Sequence, residues 1–492
     1  MTDNSKKTDD RARLIAKNLR ENIMAIRDEV AFWSTVHQAR AIREGEFKSR
    51  ELLELLIKQI ESVNPKINAV VTLDLEGARA AADAADAEIL AGSSVGVLHG
   101  IPITVKDALE TRGLRSTGGA VELHNNIPDR DAPVVRAMKE AGAIVFGKTN
   151  LPRWSGDIQA FNEMFGTTSN PWNEERVPGG SSGGAAAAVA TGMSSFEIGT
   201  DIGGSIRFPA SFCGIFGHKP SFGVVPSTGY IDHESGGTTE ADVNVIGPLA
   251  RSAEDLELLL DLMLRKEGPL VASLAEPPKH ITSLKVAAWL DDPFCPVDSK
   301  VGPVMNSAID NLEATGVSVD RSARPDVDPE EAFALGSWLV TSAMLQSMPA
   351  KTLEELSKEG GAPPQVSHRS WLDNHARREA IRKKWAEFFN GFDAIIMPIS
   401  PVSPFPHDQE GNFATRTLKS DGKERPYLDL IRWTILTGMA YLPATTPPIG
   451  LDQDGVPVSF QVVGPYGGDY TTIRLAQHIA EHNSGYQRPP LS

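Results

Sequence analysis

Two stretches decide how this chain is read. The first is Gly179-Gly180-Ser181-Ser182-Gly183-Gly184, which runs straight into Ala185–Ala190; the second is Gly199-Thr200-Asp201-Ile202-Gly203-Gly204-Ser205-Ile206-Arg207. A run of Gly and Ser can be a flexible linker. Linkers, however, do not sit between apolar strand and helix segments on both sides, as these do. A phosphate-binding loop needs Lys-Ser or Lys-Thr after its last glycine, and a dinucleotide loop needs Gly-x-Gly-x-x-Gly. Neither pattern occurs in either stretch. The remaining reading is a backbone that approaches a ligand closely and turns its amides inward. A serine held there can attack a carbonyl. The amides of Ile202, Gly203, Gly204 and Ser205 are then candidate donors to the oxyanion that develops. Ser181 opens a helix, where the aligned peptide dipoles favour negative charge.

A serine hydroxyl needs a base to become a nucleophile. No histidine lies in either stretch, and the nearest, His218, falls in an expected loop. A lysine can serve if burial keeps it neutral, against a reference pKa of about 10.4. Lys106 follows the apolar run Ile101-Pro102-Ile103-Thr104-Val105 and is expected to end inside. Lys148 and Lys219 are rivals by the same argument, and a lysine at a strand end can equally snorkel to solvent. The residues alone leave this choice open.

Working outward, the middle of the chain alternates strand and helix. Gly100–Val105 and Ala143–Phe146 read as strands, and Ala185–Ala190 as a helix. Asp131 is expected to cap a helix with Pro133 in its first turn and Gly142 at its end. Upstream, Ser49 is expected to cap a helix with the apolar stripe Leu52, Leu53, Leu56, Ile57 and Ile60, stopped at Asn64-Pro65. Residues 76–91 read as an alanine-rich helix. This rhythm implies an α/β layered fold. Residues 265–390 carry long polar helices such as Asn374–Phe389 and read as a helical elaboration. Strands return at Ala394–Met397 and Ser459–Val463, so one sheet is expected to use both halves of the chain. The expected organisation is one domain over residues 1–492. It has a helical lead-in (1–75, charged over 1–32), a catalytic core (76–264), the elaboration (265–390), and returning strands with a C-terminal helix (391–492).

The 492 residues carry 48 basic and 64 acidic side chains, a net charge of -16, which disfavours nucleic-acid binding. Two cysteines, Cys213 and Cys295, make neither a disulfide framework nor a zinc cluster, and a reducing cytoplasm is the simple expectation. No signal peptide is visible, and the longest small-apolar run, Ala185–Gly192, is far too short to span a bilayer. No metal-ligand spacing is seen among the His, Cys and acidic residues.

Both glycine-serine stretches, together with Ile103-Thr104-Val105-Lys106-Asp107, resemble the amidase signature family. Ser205-Ile206-Arg207-Phe208-Pro209-Ala210 extends the likeness, as do Cys213-Gly214 through Lys219-Pro220 and Gly147-Lys148-Thr149-Asn150. So do Phe392-Asp393-Ala394 with Pro398, and Gln461-Val462-Val463-Gly464-Pro465. The likeness runs from about Ser49 to Asp469. It implies a single α/β/α layered domain with a large mixed central sheet. It also implies a Lys–Ser–Ser triad whose two serines stand 24 positions apart, as Ser181 and Ser205 do. On this likeness Lys106 is the neutral base, Ser181 the proton relay and Ser205 the nucleophile that forms an acyl-enzyme. A cis peptide is implied at Gly180–Ser181, and Ser182, Thr200, Asp201 and Arg207 are implied as supports around the triad. No cofactor is needed.

The family's glutaminase subunit, which feeds ammonia to misacylated transfer RNA, also resembles this chain. It grips glutamine with an arginine and an aspartate. The place of that aspartate matches Ile431 here, the place of a glutamine matches Phe208, and the arginine has no counterpart. An apolar residue cannot bind an ammonium group. Trp154, Gly156, Ile158, Met439 and Tyr441, with Phe161, Met164 and Leu436, are the expected walls of a roomy apolar pocket. Aryl or alkyl amides are therefore the expected substrates, with esters and carbamates alongside, so that the activity would be that of an aryl acylamidase or urethanase. The glutaminase subunit is the alternative, and a non-catalytic scaffold the second. The expected partner is a small-molecule amide, with no nucleic acid and no membrane, the chain acting as a monomer or homodimer.

Overall fold

The structure, a computed structural model, describes residues 29–234, 236–266, 273–358 and 360–492. Most of the charged lead-in expected over residues 1–32 lies outside the described residues. An eight-stranded sheet runs Ser318–Asp320, Lys285–Ala288, Ala394–Pro398, Phe460–Val463, Ala444–Thr446, Phe216–Lys219, Val245–Ala250, Glu197–Asp201. The first three strands are parallel and the remaining neighbours antiparallel. Strands from both halves of the chain thus share one mixed sheet.

Alternating side chains along a strand face opposite sides of a sheet, and here each side buries against helices. Ala394 and Ile396, with Val462 and Phe460, pack on residues of the helices Gly302–Ala314 and Asp469–Glu481. Ile395, Met397 and Val463 face the other way, against Leu335 and Leu339 of the helix Pro329–Ala343 and Ile435 and Leu436 of the helix Arg432–Gly438. The result is an α/β/α layering.

A second, three-stranded sheet runs Val70–Leu73, Ile144–Thr149, Pro102–Lys106. Its edge strand Pro102–Lys106 is buried along its whole length and lies beside the edge strand Glu197–Asp201 of the large sheet. Among the described residues no ladder joins these two edges. Side chains bridge them instead: Ser194 Oγ accepts from Thr104 N at 2.9 Å, and Glu197 Oε1 accepts from Thr104 Oγ1 at 2.5 Å. The helix Gly183–Ala190 packs against both edges with every residue buried. A Cβ at Gly184 would sit 2.5 Å from the backbone N and O of Asn150, so only glycine fits there. Alanine along the rest of this helix keeps it thin enough for the seam.

Three helix ends differ from expectation. The helix Ser49–Ile67 has Lys48, not Ser49, at its N-cap; the Ser49 and Arg50 amides donate to the Asp86 carboxylate of a neighbouring helix, and Ser49 Oγ donates to Gly100 O. The same helix passes Pro65 and ends at Asn68, in the left-handed region, where the Asn64 side chain accepts from the Ala69 and Val70 amides. The helix Pro133–Glu140 starts from Ala132, because the Asp131 carboxylate is taken by Arg112 N and Lys139 Nζ. At the two N-termini a contact from outside the first turn claims the group that local rules assigned to the cap, and at the C-terminus the Asn64 side chain closes the end locally. Residues 265–390 also supply more than helices: Lys285–Ala288 and Ser318–Asp320 form one edge of the large sheet.

Candidate active site

The seam between the two sheets gathers the residues of both glycine-serine stretches. Lys106 ends its strand with its amine wholly buried. Nζ donates to Ser181 Oγ at 2.7 Å, Thr200 Oγ1 at 2.8 Å and Ser182 Oγ at 3.1 Å. Desolvation lowers its pKa to about 7, although Asp201 and Glu197 pull the other way. An amine so poised can lose its proton at neutral pH. Glu197 was not anticipated from the sequence. It lies buried near Lys106 and Lys148, and burial raises its pKa to about 7 against hydrogen bonds from Thr104 Oγ1 and the Ile198 amide. The Gly180–Ser181 peptide is cis, as the resemblance implied.

Ser205 sits in the turn between the strand Glu197–Asp201 and the helix Arg207–Cys213. That turn is fixed by an Asp201–Arg207 pair with no exposed side-chain surface on either partner. Asp201 Oδ1 accepts from Gly204 N and Arg207 Nη2, both at 2.8 Å, and Oδ2 accepts from Ile206 N at 3.1 Å and Arg207 Nε at 3.0 Å. Burial alone would raise the Asp201 pKa, but the charge and hydrogen bonds of Arg207 outweigh it and hold the carboxyl below its usual range. Arg207 Nη1 in turn donates to Thr434 O, Thr437 Oγ1 and Gln461 Oε1.

This arrangement corrects the expected set of oxyanion donors. Gly204 N is already committed to Asp201, whereas the amides of Ile202, Gly203 and Ser205 donate to no protein acceptor among the described residues. Ser205 is 5% exposed, and Lys106, Ser181 and Ser182 are 0% exposed. Ser182 N donates to Ser205 O at 3.2 Å. Ser205 Oγ itself makes no hydrogen bond among the described residues, so the link from Lys106 reaches Ser181 and stops short of Ser205.

Ser205, Ile202 and Gly203 form the floor of a cavity that opens to solvent. Of the expected walls, Gly156 and Ile158 line it. Trp154 instead packs with Ala120 and Ile231, and Met439 and Leu436 lie in the core. Tyr441 stacks on Phe222 and donates to Asp242. Phe161 lines a neighbouring cavity that shares Gly156 and Asp157 with the first. The apolar roof comes from residues that carried no motif: Phe333, Val340, Met344, Met348 and Leu356. The signal for Phe333, Val340 and Met344 was the apolar run Ala332–Met344 within an otherwise polar region; Met348 and Leu356 lie beyond it. Asp157, the one charged lining residue among those described, is neutralised by Arg416 Nη2 at 2.6 Å and accepts a hydrogen bond from Tyr427 OH at 2.8 Å.

The rival bases are engaged elsewhere. Lys148 donates to Leu109 O, Thr111 Oγ1 and Ser116 Oγ, and Lys219 to Pro220 O. His218 belongs to a strand rather than a loop and lies buried between Thr445 and Asp469. The absence of metal-ligand spacing is also corrected. His478, Glu481 and His482, at the end of the last helix, bring one possible ligand atom each to within 4.8 Å of one another.

Residues 51–473 match the model of the Amidase family. This chain belongs to the amidase family. Among its relatives is the A component of the glutamyl-tRNA(Gln) amidotransferase of a Picosynechococcus strain, 31% identical over 93% of this chain and 99% of that protein. The solved structure of 6-aminohexanoate cyclic dimer hydrolase complexed with substrate is 26% identical, covers 94% of this chain and 99% of that one, and superposes with a TM-score of 0.76. A bacterial aryl acylamidase of the amidase signature enzymes shares the fold, with a TM-score of 0.78 over 92% of this chain and 96% of that one at 24% identity. Among the described residues of this amidase family member, no helix is long and apolar enough to cross a membrane.

Proposed function

We propose that the chain hydrolyses amides of uncharged, mainly apolar acyl groups, with Ser205 as nucleophile. The observation that carries this is a deprotonable amine, Lys106, hydrogen-bonded to Ser181 beside a serine at the floor of an apolar cavity. In this reading neutral Lys106 takes the Ser181 proton, and Ser181 takes that of Ser205 as it attacks the acyl carbon. The unengaged Ser205 hydroxyl turns to Ser181 when substrate fills the cavity, since catalytic hydrogen bonds often tighten only in the complex. The amides of Ile202, Gly203 and Ser205 hold the oxyanion, each such donor supplying roughly 3–4 kcal/mol in serine hydrolases. The relay then runs backward to protonate the leaving amine, and water hydrolyses the acyl-enzyme.

A glutaminase role, suggested by the amidotransferase relatives, is the second reading. Glutamine brings an ammonium and a carboxylate, and each would need a buried countercharge. Ile431 lines the cavity, and Asp157 is already neutralised. Aryl and alkyl amides, carbamates and esters suit such walls better. The test is turnover of a panel of anilides, linear amides, carbamates, esters and glutamine, with fluorophosphonate labelling located by mass spectrometry. Labelling of Ser205 and turnover of apolar amides are expected. Turnover of glutamine alone would overturn the substrate reading, and an unlabelled Ser205 would favour a non-catalytic scaffold.

A further inference from the structure

The last helix, Asp469–Glu481, closes on His478-Ile479-Ala480-Glu481-His482. Residues three and four apart share one helix face, so two imidazoles and a carboxylate meet there. The His478 and His482 ring centroids are 4.3 Å apart. None of these residues touches the Lys106–Ser181–Ser205 cluster or its cavity.

Hydrogen bonds select the tautomer of each ring. His482 Nδ1 lies 2.8 Å from the His478 carbonyl; a carbonyl only accepts, so Nδ1 carries the hydrogen and Nε2 keeps its lone pair. His478 Nε2 lies 2.9 Å from Thr315 Oγ1, and that hydroxyl gives its single hydrogen to Leu312 O at 2.7 Å. His478 Nε2 is therefore the donor, and its Nδ1 keeps a lone pair. Glu481 Oε1 accepts from Gln477 Nε2 at 2.8 Å, while Oε2 has no partner among the described residues.

The geometry points to a binding site for a zinc-like divalent transition-metal ion, held by His478 Nδ1, His482 Nε2 and a Glu481 carboxylate oxygen, with a fourth position open to water. Two imidazoles and one carboxylate are a known three-ligand set for zinc. The hydrogen bonds from the far nitrogens to Thr315 and to a helix carbonyl supply the outer support that orients metal-bound histidines. Ligands about 2.1 Å from a tetrahedral zinc stand roughly 3.4 Å apart. The ligand atoms lie within 4.8 Å of one another, so binding would require the exposed Glu481 carboxylate to swing in toward the two rings. The ion would also face the last carbonyls of the helix, where a cation is favoured. Bound at this place it would tie the final helix to the turn at Thr315, and its effect would fall on stability.

The test uses the full-length chain without a histidine tag, stripped of metal by chelation. Zn²⁺ is titrated by calorimetry, and Co²⁺ is followed by its visible absorption. Uptake of one equivalent is expected, together with a Zn²⁺-dependent rise in Tm. His482→Gln, at an exposed position, should weaken uptake by about 10–100-fold and remove the Tm response. Glu481→Gln should weaken uptake less, and Ser205→Ala should leave it unchanged. Amide turnover should be the same with and without the ion. No saturable uptake, or unchanged affinity in a His478→Gln/His482→Gln double variant, would overturn the proposal.

Discussion

The floor and the roof of the cavity are built on opposite principles. The floor is held by directional contacts: Lys106 on three hydroxyls, and Asp201 on three amides and one guanidinium. The roof is Phe333, Val340, Met344, Met348 and Leu356, with apolar side chains that have no directional partner to satisfy. Directional contacts fail when one partner is removed, because the other is left buried and unpaired. Apolar surface is non-directional and degrades gradually with the area lost. On the proposed function, chemistry belongs to the floor and choice of substrate to the roof.

The strongest way to break this division is at the floor. Lys106→Ala and Ser205→Ala should each lower kcat by about 10⁴–10⁶, the scale for removing a member of a cooperating catalytic set. Fluorophosphonate labelling should be lost in both, while the far-UV circular dichroism is retained. Turnover intact in Lys106→Ala at neutral pH would sink the mechanism. Lys106→Met adds a stability readout with a definite sign. The wild-type amine is charged in both folded and unfolded chains below about pH 7 and neutral in both above about 10.5. The cost of burying its charge is therefore full at the acid end and fades between those values. The Tm of Lys106→Met relative to wild type should shift in the wild type's favour as pH rises through that window. Asp201→Asn comes next. It leaves Arg207 buried without its countercharge, at a cost of about 3–5 kcal/mol in stability, and loosens the turn that presents the oxyanion amides. A further 10²–10³-fold loss of kcat is the scale for misplacing one such donor.

The two regions also differed in how far the sequence disclosed them. Gly184 was readable as a position of close backbone approach, and the two glycine-serine stretches were readable as one cluster: the structure sets Ser181 against Lys106 and Ser205 at the cavity floor. Lys106 was one of three candidates by the residues alone; the family resemblance singled it out, and the fold shows a rival engaged elsewhere: Lys148 is on the adjacent strand, paired in register with Val105, yet its amine ends on Leu109 O. The roof was missed because apolar residues of a helix look alike whether they face a core or a cavity. The same ambiguity placed Met439 and Tyr441 in the pocket when both pack elsewhere. Gly204 was misassigned because nothing in its neighbourhood shows that Asp201 has already taken its amide.

At the roof, effects should be smaller and depend on the substrate. Val340→Trp fills the cavity and should lower kcat/KM for bulky anilides by about 10–100-fold, the range for a changed apolar fit, while sparing a short acyl amide. Equal loss on both substrates would erase the distinction between floor and roof. The pH profile of kcat/KM, which reports the free enzyme, should fall about tenfold for each unit below pH 7 as Lys106 takes up its proton, whatever the acyl group.

Ser155 tests the boundary between the two regions. It lines the apolar cavity beside Ser205, yet its buried hydroxyl has no partner among the described residues. It also holds a left-handed backbone, φ 56°, directly after Trp154 at φ 53°, where side chains other than glycine are strained. A buried polar group without a partner costs stability unless a ligand satisfies it. Ser155→Ala keeps the backbone strain and removes only the oxygen, so Tm should hold or rise slightly. If the hydroxyl serves substrate, KM for an amide with a polar group on its acyl chain should rise by roughly 2–10-fold, the worth of one neutral hydrogen bond of about 0.5–1.5 kcal/mol. KM for a hydrocarbon acyl amide should not move. A uniform change across both would place Ser155 with the roof, as packing alone.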